Sequence, residues 1–248
     1  MRLLNNFLEK MVAVLFPNRC LSCRKITNLK YFCEKCGNVT NPIKVKTCLK
    51  CGLPLKHCAC KWNFYYFDEM ISCFEADEPT KRSFYSFKFG GDFWGGKFFS
   101  IKMAEIIKNH PDYLDFSIIT SVPSHKSTIS ARGYDQVKAL AKGISKIIKV
   151  KYQAVLYQPK KSSKQHESSS IAERFSNVSG KYSVFKNATL KDKTILLVDD
   201  IKTTGATLSQ CARELKLAGA KKVVALSALT VYPKDKEEKN ENEVNESR

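Results

Sequence analysis

Residues 194–207 read Thr-Ile-Leu-Leu-Val-Asp-Asp-Ile-Lys-Thr-Thr-Gly-Ala-Thr: an apolar run, two carboxylates and then a loop of small hydroxylated residues. Residues 195–198 form a short, continuous and partly β-branched run, which is typical of a strand buried on both faces of a parallel sheet. From Leu208 onward the apolar residues recur at helical spacing as far as Gly219, which can end a helix. The stretch therefore predicts a strand that turns into a helix, with the acidic pair at the turn.

The start of this helix is suited to bind a phosphate group. Its first amides have no partner within the helix, and the helix dipole adds partial positive charge there. Gly205 allows close backbone approach, and further donors come from Thr203, Thr204, Ala206 and Thr207. The carboxylates of Asp199 and Asp200 are acceptors suited to the two hydroxyls of a ribose. Together these residues predict a site for a 5-phosphoribosyl group.

This arrangement resembles the signature of the type I phosphoribosyltransferases for 5-phosphoribosyl 1-diphosphate (PRPP): four apolar positions, two acids, three variable positions and Thr-Gly-x-Thr. The resemblance implies that the chain binds PRPP together with Mg²⁺. The plainer interpretation is a turn that uses its threonines and glycine only as helix caps. It does not explain why the two acids and the loop have the spacing of this signature. A Walker-type phosphate loop is excluded, because no Gly-Lys-Ser/Thr follows a glycine five residues earlier.

A second strand, loop and helix lie upstream. Residues 116–122 have the composition of another buried strand, and helical spacing then continues to about Ile148. The loop between them ends with Arg132 and Gly133. In type I phosphoribosyltransferases such a loop holds the pyrophosphate, so the resemblance assigns these two residues to the diphosphate of PRPP. With a last strand at 223–229, the repeated order predicts an α/β fold whose parallel sheet binds ligands at the carboxyl ends of its strands.

Eight of the ten cysteines lie between positions 20 and 60. Closely spaced cysteine pairs place two thiolates on one metal ion. Three Cys-x-x-Cys pairs and one Cys-x-Cys pair therefore predict two structural Zn²⁺ sites with no open position for catalysis. A disulfide framework would be expected in an exported protein, and no export signal is recognisable. Consecutive sites are expected rather than interleaved ones, with His57 as an alternative ligand to Cys58. The expected ligands are Cys20, Cys23, Cys33 and Cys36 for one ion, and Cys48, Cys51, Cys58 and Cys60 for the other.

The formal net charge is +18, and the amino-terminal quarter is the most basic part of the chain. Residues 1–61 contain 12 Lys/Arg and 2 Asp/Glu, whereas residues 235–248 contain 3 and 6. A basic surface attracts polyanions through counterion release, so nucleic acid is an expected partner. A generally Lys-rich composition is the plainer alternative. Because no run of eighteen apolar residues and no signal peptide is found, the sequence predicts a cytoplasmic protein without a transmembrane segment.

Shifts in composition divide the chain into four segments. The expected division is an amphipathic helix at 1–16, a double zinc ribbon at 17–61, a phosphoribosyltransferase-like domain at 62–234 and a charged, disordered tail at 235–248.

Within the third segment, residues 64–67 and 70–74 have the composition of strands. Residues 83–91 are interpreted as a connection that leads into a helix from about 97 to 109. Lys88, close to two glycines in this connection, could face a phosphate, but an exposed loop lysine is the commoner case. The polar segment 160–177 is expected to be a mobile excursion of the kind that forms lids.

Several short motifs follow one another in an order that resembles the ComF family. They are the cysteine pairs, Val122-Pro123 with His125, Arg132-Gly133-Tyr134-Asp135-Gln136, Gln165 with Arg174 and Asn177, and the Asp199-Asp200 pair with its loop. The resemblance covers nearly all of residues 15–232. That family joins a double zinc ribbon to a phosphoribosyltransferase-like domain and is associated with natural competence, the uptake and handling of single-stranded DNA. The resemblance implies a PRPP-binding competence protein that contacts single-stranded DNA or a partner such as the uptake helicase.

Two other functions stay open at this point. One is an active transferase, in which a base or amine displaces pyrophosphate from PRPP through an oxocarbenium-like state, with Mg²⁺ and Arg132 stabilising the leaving group. The other is a nucleic-acid module whose transferase fold no longer binds a ligand. The intact Asp199, Asp200 and Gly205 argue against the latter.

Overall fold

The computed structural model describes residues 18–37, 42–58, 60, 65–90, 93–159 and 180–232. The strands are β1 (Glu69–Glu75), β2 (Phe116–Ser121), β3 (Leu156–Tyr157), β4 (Ser183–Val184), β5 (Thr194–Lys202) and β6 (Lys222–Thr230). The helices are α1 (Glu34–Gly37), α2 (Glu78–Gly90), α3 (Phe93–Lys108), α4 (Lys126–Arg132), α5 (Gln136–Ile148) and α6 (Ala206–Leu217). Four strands form a parallel sheet in the order β1-β6-β5-β2, while β3 and β4 form a separate antiparallel pair. The predicted parallel α/β architecture is confirmed.

Strand β5 lies inside the sheet because residues 195–198 are apolar on both faces, and all four are fully buried. On one side it pairs with β6 along its whole length, as far as Lys202. On the other side it pairs with β2 only as far as Val198, which lies opposite Ser121. The carboxyl end of β5 therefore extends beyond the end of β2.

Helices cover both faces of the sheet. Helices α2, α3 and α5 pack on one face, in a core that includes Phe74, Phe99 and Leu196. Helix α6 packs on the other face, against Ile195 and Leu197 of β5. Consecutive residues of β5 therefore belong to different cores, which decides where each of its acidic side chains lies.

The cysteine-rich segment packs against β1 and α3. The backbone amide of Met70 in β1 donates a hydrogen bond to the carbonyl oxygen of Leu49. The ring of Phe32 meets that of Phe98 in α3 edge-on, with 4.9 Å between centroids. These contacts connect the cysteine-rich segment to β1, at the edge of the sheet, and to α3 in the helical layer.

Two helices lie where the sequence predicts connections. Helix α2 includes most of the 83–91 connection, and α4 includes most of the loop expected to hold a diphosphate. Phe, Tyr and Ser are only modest helix formers, but Phe84 and Phe87 are buried in the core, and such packing overrides intrinsic propensity. The amide of Thr80 also donates to the Asp77 side chain at 2.8 Å, which caps α2.

The other elements lie close to their predicted positions. Strands β2, β5 and β6 and helices α5 and α6 are present, and α3 begins at Phe93 rather than near 97. Strand β1 begins at Glu69, and residues 65–67 are not in a strand. The expected helix at 1–16, the excursion at 160–177 and the tail at 235–248 lie outside the described residues. Among the helices that are described, none combines the length and apolar character needed to cross a bilayer.

Candidate functional site

The candidate ligand site lies at the carboxyl end of β5, where the path of the chain across the sheet reverses. From β5 the chain continues through α6 to β6. From β2 it continues through α5 to Tyr152, which pairs in parallel with Ile119 on the side of β2 away from β5. The connections after β2 and β5 therefore leave in opposite directions, and open parallel sheets bind ligands in the crevice formed at such a reversal.

The acidic pair lies within β5, because the strand continues to Lys202 rather than ending before the acids. Neighbours in a strand point to opposite faces, so the two carboxylates have different surroundings. Asp199 lies on the α6 side, close enough to Cys211 to raise the pKa of that thiol in addition to the effect of burial, and it is 7% exposed. Asp200 lies on the side of α2 and α5 and is the more accessible of the two.

The Asp200 carboxylate is held by three donors. Lys88 of α2 donates from Nζ to Oδ2 at 2.6 Å, and Gln136 of α5 donates from Nε2 to the same oxygen at 3.2 Å. The backbone amide of Ile201 donates to Oδ1 at 2.7 Å. The carboxylate is therefore fixed from both neighbouring helices and from its own strand.

Asp199 is held in a surrounding that disfavours its charge. Burial raises the pKa of its carboxyl well above the ordinary value, and the charge of Asp200 raises it further. The backbone amide of Asp200, which donates to Asp199 Oδ1 at 2.8 Å, and the charge of Lys88 offset part of this effect. Because the protonated form is favoured in the folded state, folding stability falls as the pH rises from the ordinary carboxyl pKa toward the raised one.

We expect Asp199→Asn to stabilise the protein at neutral pH, because the amide is never ionised. The gain should be about 0.5–2 kcal/mol at pH 8, the usual size of a single stabilising substitution, and smaller at pH 5. Urea unfolding of both proteins at the two pH values measures it. Asp192→Asn, in the exposed turn before β5, is the matched control and should show neither effect. A gain of equal size at both pH values would show that ionisation of Asp199 is not the cause.

The 203–207 loop forms the start of α6. Gly205 is its N-cap residue and has φ +82°, a left-handed conformation that favours glycine. The ring of Tyr65 lies against it, so that a Cβ added at this glycine would be 3.1 Å from Cε1 of that ring. Within the described part of the chain, the backbone amides of Gly205, Thr207 and Leu208 have no hydrogen-bond acceptor. These amides are available to an anion, as expected for the first turn of a helix.

Arg132 and Gly133 end α4 and pack against the last turn of α2. The Arg132 guanidinium lies over the ring of Phe89, 4.7 Å from its centroid. Gly133 has φ +77°, which lets the chain reverse after the helix. The hydroxyl of Tyr134 then donates to the carbonyl oxygen of Phe87. The predicted diphosphate residues are thus connected to the helix that also contacts Asp200.

Two contacts of Asp200, those with Lys88 and Gln136, are not predicted from the sequence. Lys88 lies one helical turn after the fully buried Phe84, and a lysine at a buried helical position is uncommon unless it is paired. That signal is readable only once α2 is known to be a helix. Gln136 comes close to Asp200 only through the fold, because 64 positions separate them.

The cysteines form two clusters that are consecutive along the chain. Within each cluster the four sulfur atoms all lie within 4.8 Å of one another, and no disulfide is present among the ten cysteines. Four thiolates at about 2.3 Å from a tetrahedral Zn²⁺ would be roughly 3.8 Å apart. The pairs Cys23–Cys33, Cys48–Cys60 and Cys51–Cys58 have Sγ–Sγ distances of 3.7 Å. The first cluster is Cys20, Cys23, Cys33 and Cys36, and the second cluster is Cys48, Cys51, Cys58 and Cys60.

The thiols of each cluster cannot all ionise without a cation between them. Burial raises the pKa of Cys20, but backbone amides outweigh this and lower it to about 6. Burial and the neighbouring thiols together raise the pKa of Cys36 to about 12. In the second cluster the fourth sulfur comes from Cys58, while the ring of His57 stacks on Tyr232 with 4.9 Å between centroids. Both clusters have the composition and spacing of structural zinc sites.

Comparison with known families gives two matches. The family described as Double zinc ribbon domain matches residues 11–65, and the family described as Phosphoribosyl transferase domain matches residues 128–247. The chain is also 30% identical over 155 residues to Competence protein ComFC of Streptococcus pneumoniae (strain ATCC BAA-255 / R6). That match covers 62% of this chain and 64% of the relative, so it spans less than two thirds of the relative's length.

Solved structures with similar folds are more distant. The glutamine PRPP amidotransferase of B. subtilis is 18% identical, with 54% of this chain and 26% of that chain covered and a TM-score of 0.37. A purine phosphoribosyltransferase of Pyrococcus horikoshii is 19% identical, with 54% and 72% covered and a TM-score of 0.33. At this level of similarity neither structure carries an argument about substrate or reaction.

Proposed function

Because the chain is a ComF family protein, in which a double zinc ribbon precedes a phosphoribosyl transferase domain, we propose that it binds PRPP at the carboxyl end of β5 and works in the handling of single-stranded DNA during natural competence. The first part rests on two features that meet at one sheet edge: the partly exposed carboxylate of Asp200, and the first amides of α6, which have no acceptor within the described part of the chain. A ribose diol and a 5-phosphate need acceptors and donors of these kinds.

In the proposed complex, the 5-phosphate is bound by the 203–207 loop: Thr203, Thr204, Gly205, Ala206 and Thr207. The ribose hydroxyls donate to Asp200, and the diphosphate lies toward Arg132 and Gly133. Asp199, the preceding residue of β5, lies behind this position on the α6 side of the sheet. Mg²⁺ would be bound by the diphosphate and would neutralise part of its charge. The protein's own residues supply the position of the sugar, the phosphate donors and a cation for the diphosphate.

Calorimetric titration of the full-length protein with PRPP, with and without Mg²⁺, tests the proposal. We expect saturable binding of one PRPP per chain that is tighter with Mg²⁺. ATP is the control ligand, because a basic surface that binds any polyanion would bind it as well. An absence of PRPP binding, or equal binding of both compounds, would contradict a specific phosphoribosyl site.

Transfer is the second candidate, because Arg132 provides a cation near the expected leaving group. In that reaction a base or amine forms a bond to C1 of the ribose as the bond to the diphosphate breaks, and pyrophosphate leaves with Mg²⁺. Measurement of pyrophosphate release with a panel of purine and pyrimidine bases separates transfer from binding alone. Release that depends on one base would identify an enzyme and its acceptor.

We propose further that each cysteine cluster binds one Zn²⁺ and that the ions are structural. Four thiolates complete the coordination of Zn²⁺, so no position is left for a substrate or water.

The second cluster is close to the ligand site. Lys202, at the end of β5, is buried, and the charges of Cys51 and Cys48 raise the pKa of its ammonium group. These charges oppose the burial that lowers the pKa of Lys202.

The zinc-ribbon surface is the proposed contact for single-stranded DNA, and a competence helicase is the proposed protein partner. Between residues 18 and 58, the described part of the ribbons exposes nine basic side chains and one acidic one, Glu34. Such a surface binds the phosphate backbone without reading its sequence. The basic side chains are Arg19, Arg24, Lys25, Lys30, Lys35, Lys44, Lys46, Lys50 and Lys56.

We expect binding of a labelled single-stranded oligonucleotide to weaken about tenfold or more between 50 and 200 mM salt, because neutralised phosphates release counterions. Changing Lys44, Lys46 and Lys50 together to Gln should reduce the slope of log K against log salt by about 2. The matched control changes three exposed lysines of α5, Lys138, Lys142 and Lys146, to Gln. Fluorescence anisotropy measures all three proteins. Equal losses in both variants would remove the ribbons as the specific surface.

A further inference from the structure

Lys88 and Asp200 form an ion pair that is largely shielded from water. Their side chains are 15% and 14% exposed, and 2.6 Å separates Nζ from Oδ2. By comparison, the pair between Lys102 and Glu105 on α3 has exposures of 35% and 54%. Ion pairs on the surface contribute little, whereas a charge that loses its partner in a shielded position is strongly disfavoured. Lys88 therefore leaves Asp200 only if another anion replaces it.

The ion pair also takes up acceptor positions on the Asp200 carboxylate that ribose hydroxyls would use. A carboxylate has about four acceptor positions, and in Asp200 they are shared by Lys88, Gln136 and the amide of Ile201. Two of these donors are on Oδ2 and one is on Oδ1. A ribose diol brings two more donors, so it cannot be accommodated in full while Lys88 remains where it is.

Lys88 of α2 contacts Asp200, and the same turn of α2 contacts a residue expected to meet the diphosphate. The next residue, Phe89, contacts the Arg132 guanidinium. In PRPP the diphosphate is on C1, and the hydroxyls that Asp200 would accept are on the adjacent carbons C2 and C3. A lysine that leaves the carboxylate as the diol arrives is therefore close to the anion on C1.

From this geometry we propose that Lys88 selects ligands that have an anionic group on C1 of the ribose. This inference rests on the proposed PRPP site. In the free protein Lys88 holds Asp200, and in the complex it moves to the diphosphate, so that the diol replaces it on the carboxylate. PRPP supplies that anion. Ribose 5-phosphate has only a hydroxyl on C1, so its binding leaves the ammonium without a partner. Lys88 is thus a specificity-determining residue that favours the binding of PRPP over that of ribose 5-phosphate, the sugar that remains when PRPP loses its diphosphate.

The test compares the affinities of Mg²⁺–PRPP and ribose 5-phosphate in three full-length proteins by calorimetry. Wild type should prefer PRPP. Lys88→Met keeps the length of the side chain but removes its charge, so PRPP binding should weaken about tenfold or more while ribose 5-phosphate binds as well as before or better. Lys88→Arg should retain most of the preference. As a control, Lys102→Met removes the lysine of the exposed pair and should leave both affinities unchanged.

A second measurement needs no variant. Mg²⁺–pyrophosphate added to wild type should draw Lys88 away from Asp200, and the affinity for ribose 5-phosphate should then rise several-fold. Equal loss of both ligands in Lys88→Met, or pyrophosphate that leaves unchanged or weakens the affinity for ribose 5-phosphate in wild type, would overturn the role of Lys88. If wild type binds neither PRPP nor ribose 5-phosphate, the proposed function itself is wrong.

Discussion

Asp200→Asn is expected to weaken the binding of Mg²⁺–PRPP by about 100-fold or more. The substitution keeps the shape of the side chain and the acceptor for the Ile201 amide, but it removes the charge that two ribose hydroxyls would meet. Each hydrogen bond to a charged group is commonly worth a factor of about ten or more in affinity. Calorimetry of the two proteins under the same Mg²⁺ concentration measures the ratio.

Asp192→Asn is the matched control for this prediction, because it removes an acid from the exposed turn before β5. Its affinity for PRPP should equal that of wild type. The far-ultraviolet circular dichroism and unfolding midpoint of Asp200→Asn should show that the fold is retained. Binding by Asp200→Asn within about threefold of wild type, less than the loss of one charged hydrogen bond, would mean that the diol is not held by this carboxylate.

Cys51→Ser is expected to have the largest effect on stability. Cys51 is 1% exposed and belongs to the second cluster, so the variant should bind one Zn²⁺ per chain instead of two. Structural zinc contributes on the order of 10 kcal/mol in zinc-finger peptides, so loss of one ion should lower the free energy of unfolding by several kcal/mol. Elemental analysis and urea unfolding measure the two quantities.

Cys73→Ala is the control for the zinc prediction, because Cys73 is fully buried in β1 and belongs to neither cluster. It should retain two Zn²⁺ ions and lose only the stability expected of a small cavity. Two ions retained in Cys51→Ser, or one ion lost in Cys73→Ala, would contradict the assignment of ligands.

Local patterns in the sequence were enough to predict β5, α6 and the cysteine clusters. The strand is an uninterrupted apolar run, the helix has a helical period and a terminal glycine, and each cysteine pair lies within one turn. Helix α2 could not be predicted in this way, because its stability comes from burying Phe84 and Phe87 against other elements.

The surroundings of the acidic pair were also beyond the sequence. The pattern placed Asp199 and Asp200 together, but the strand continues through them, so one is buried on the α6 side and the other is paired with Lys88. That ion pair joins residues 112 positions apart, and no local rule predicts it. The acidic pair and the loop at the start of α6 can therefore be recognised from the sequence, whereas the ion pair that covers Asp200 depends on tertiary packing.

Backbone amide resonances of the 203–207 loop, followed by nuclear magnetic resonance during titration with Mg²⁺–PRPP, test the central claim most directly. The phosphate should shift the amide signals of Gly205, Thr207 and Leu208 in a saturable way, and Asp200→Asn should show these shifts only at much higher concentration. If PRPP binds while these amide signals do not move, the ligand occupies another part of the protein and the phosphate site at the start of α6 is wrong.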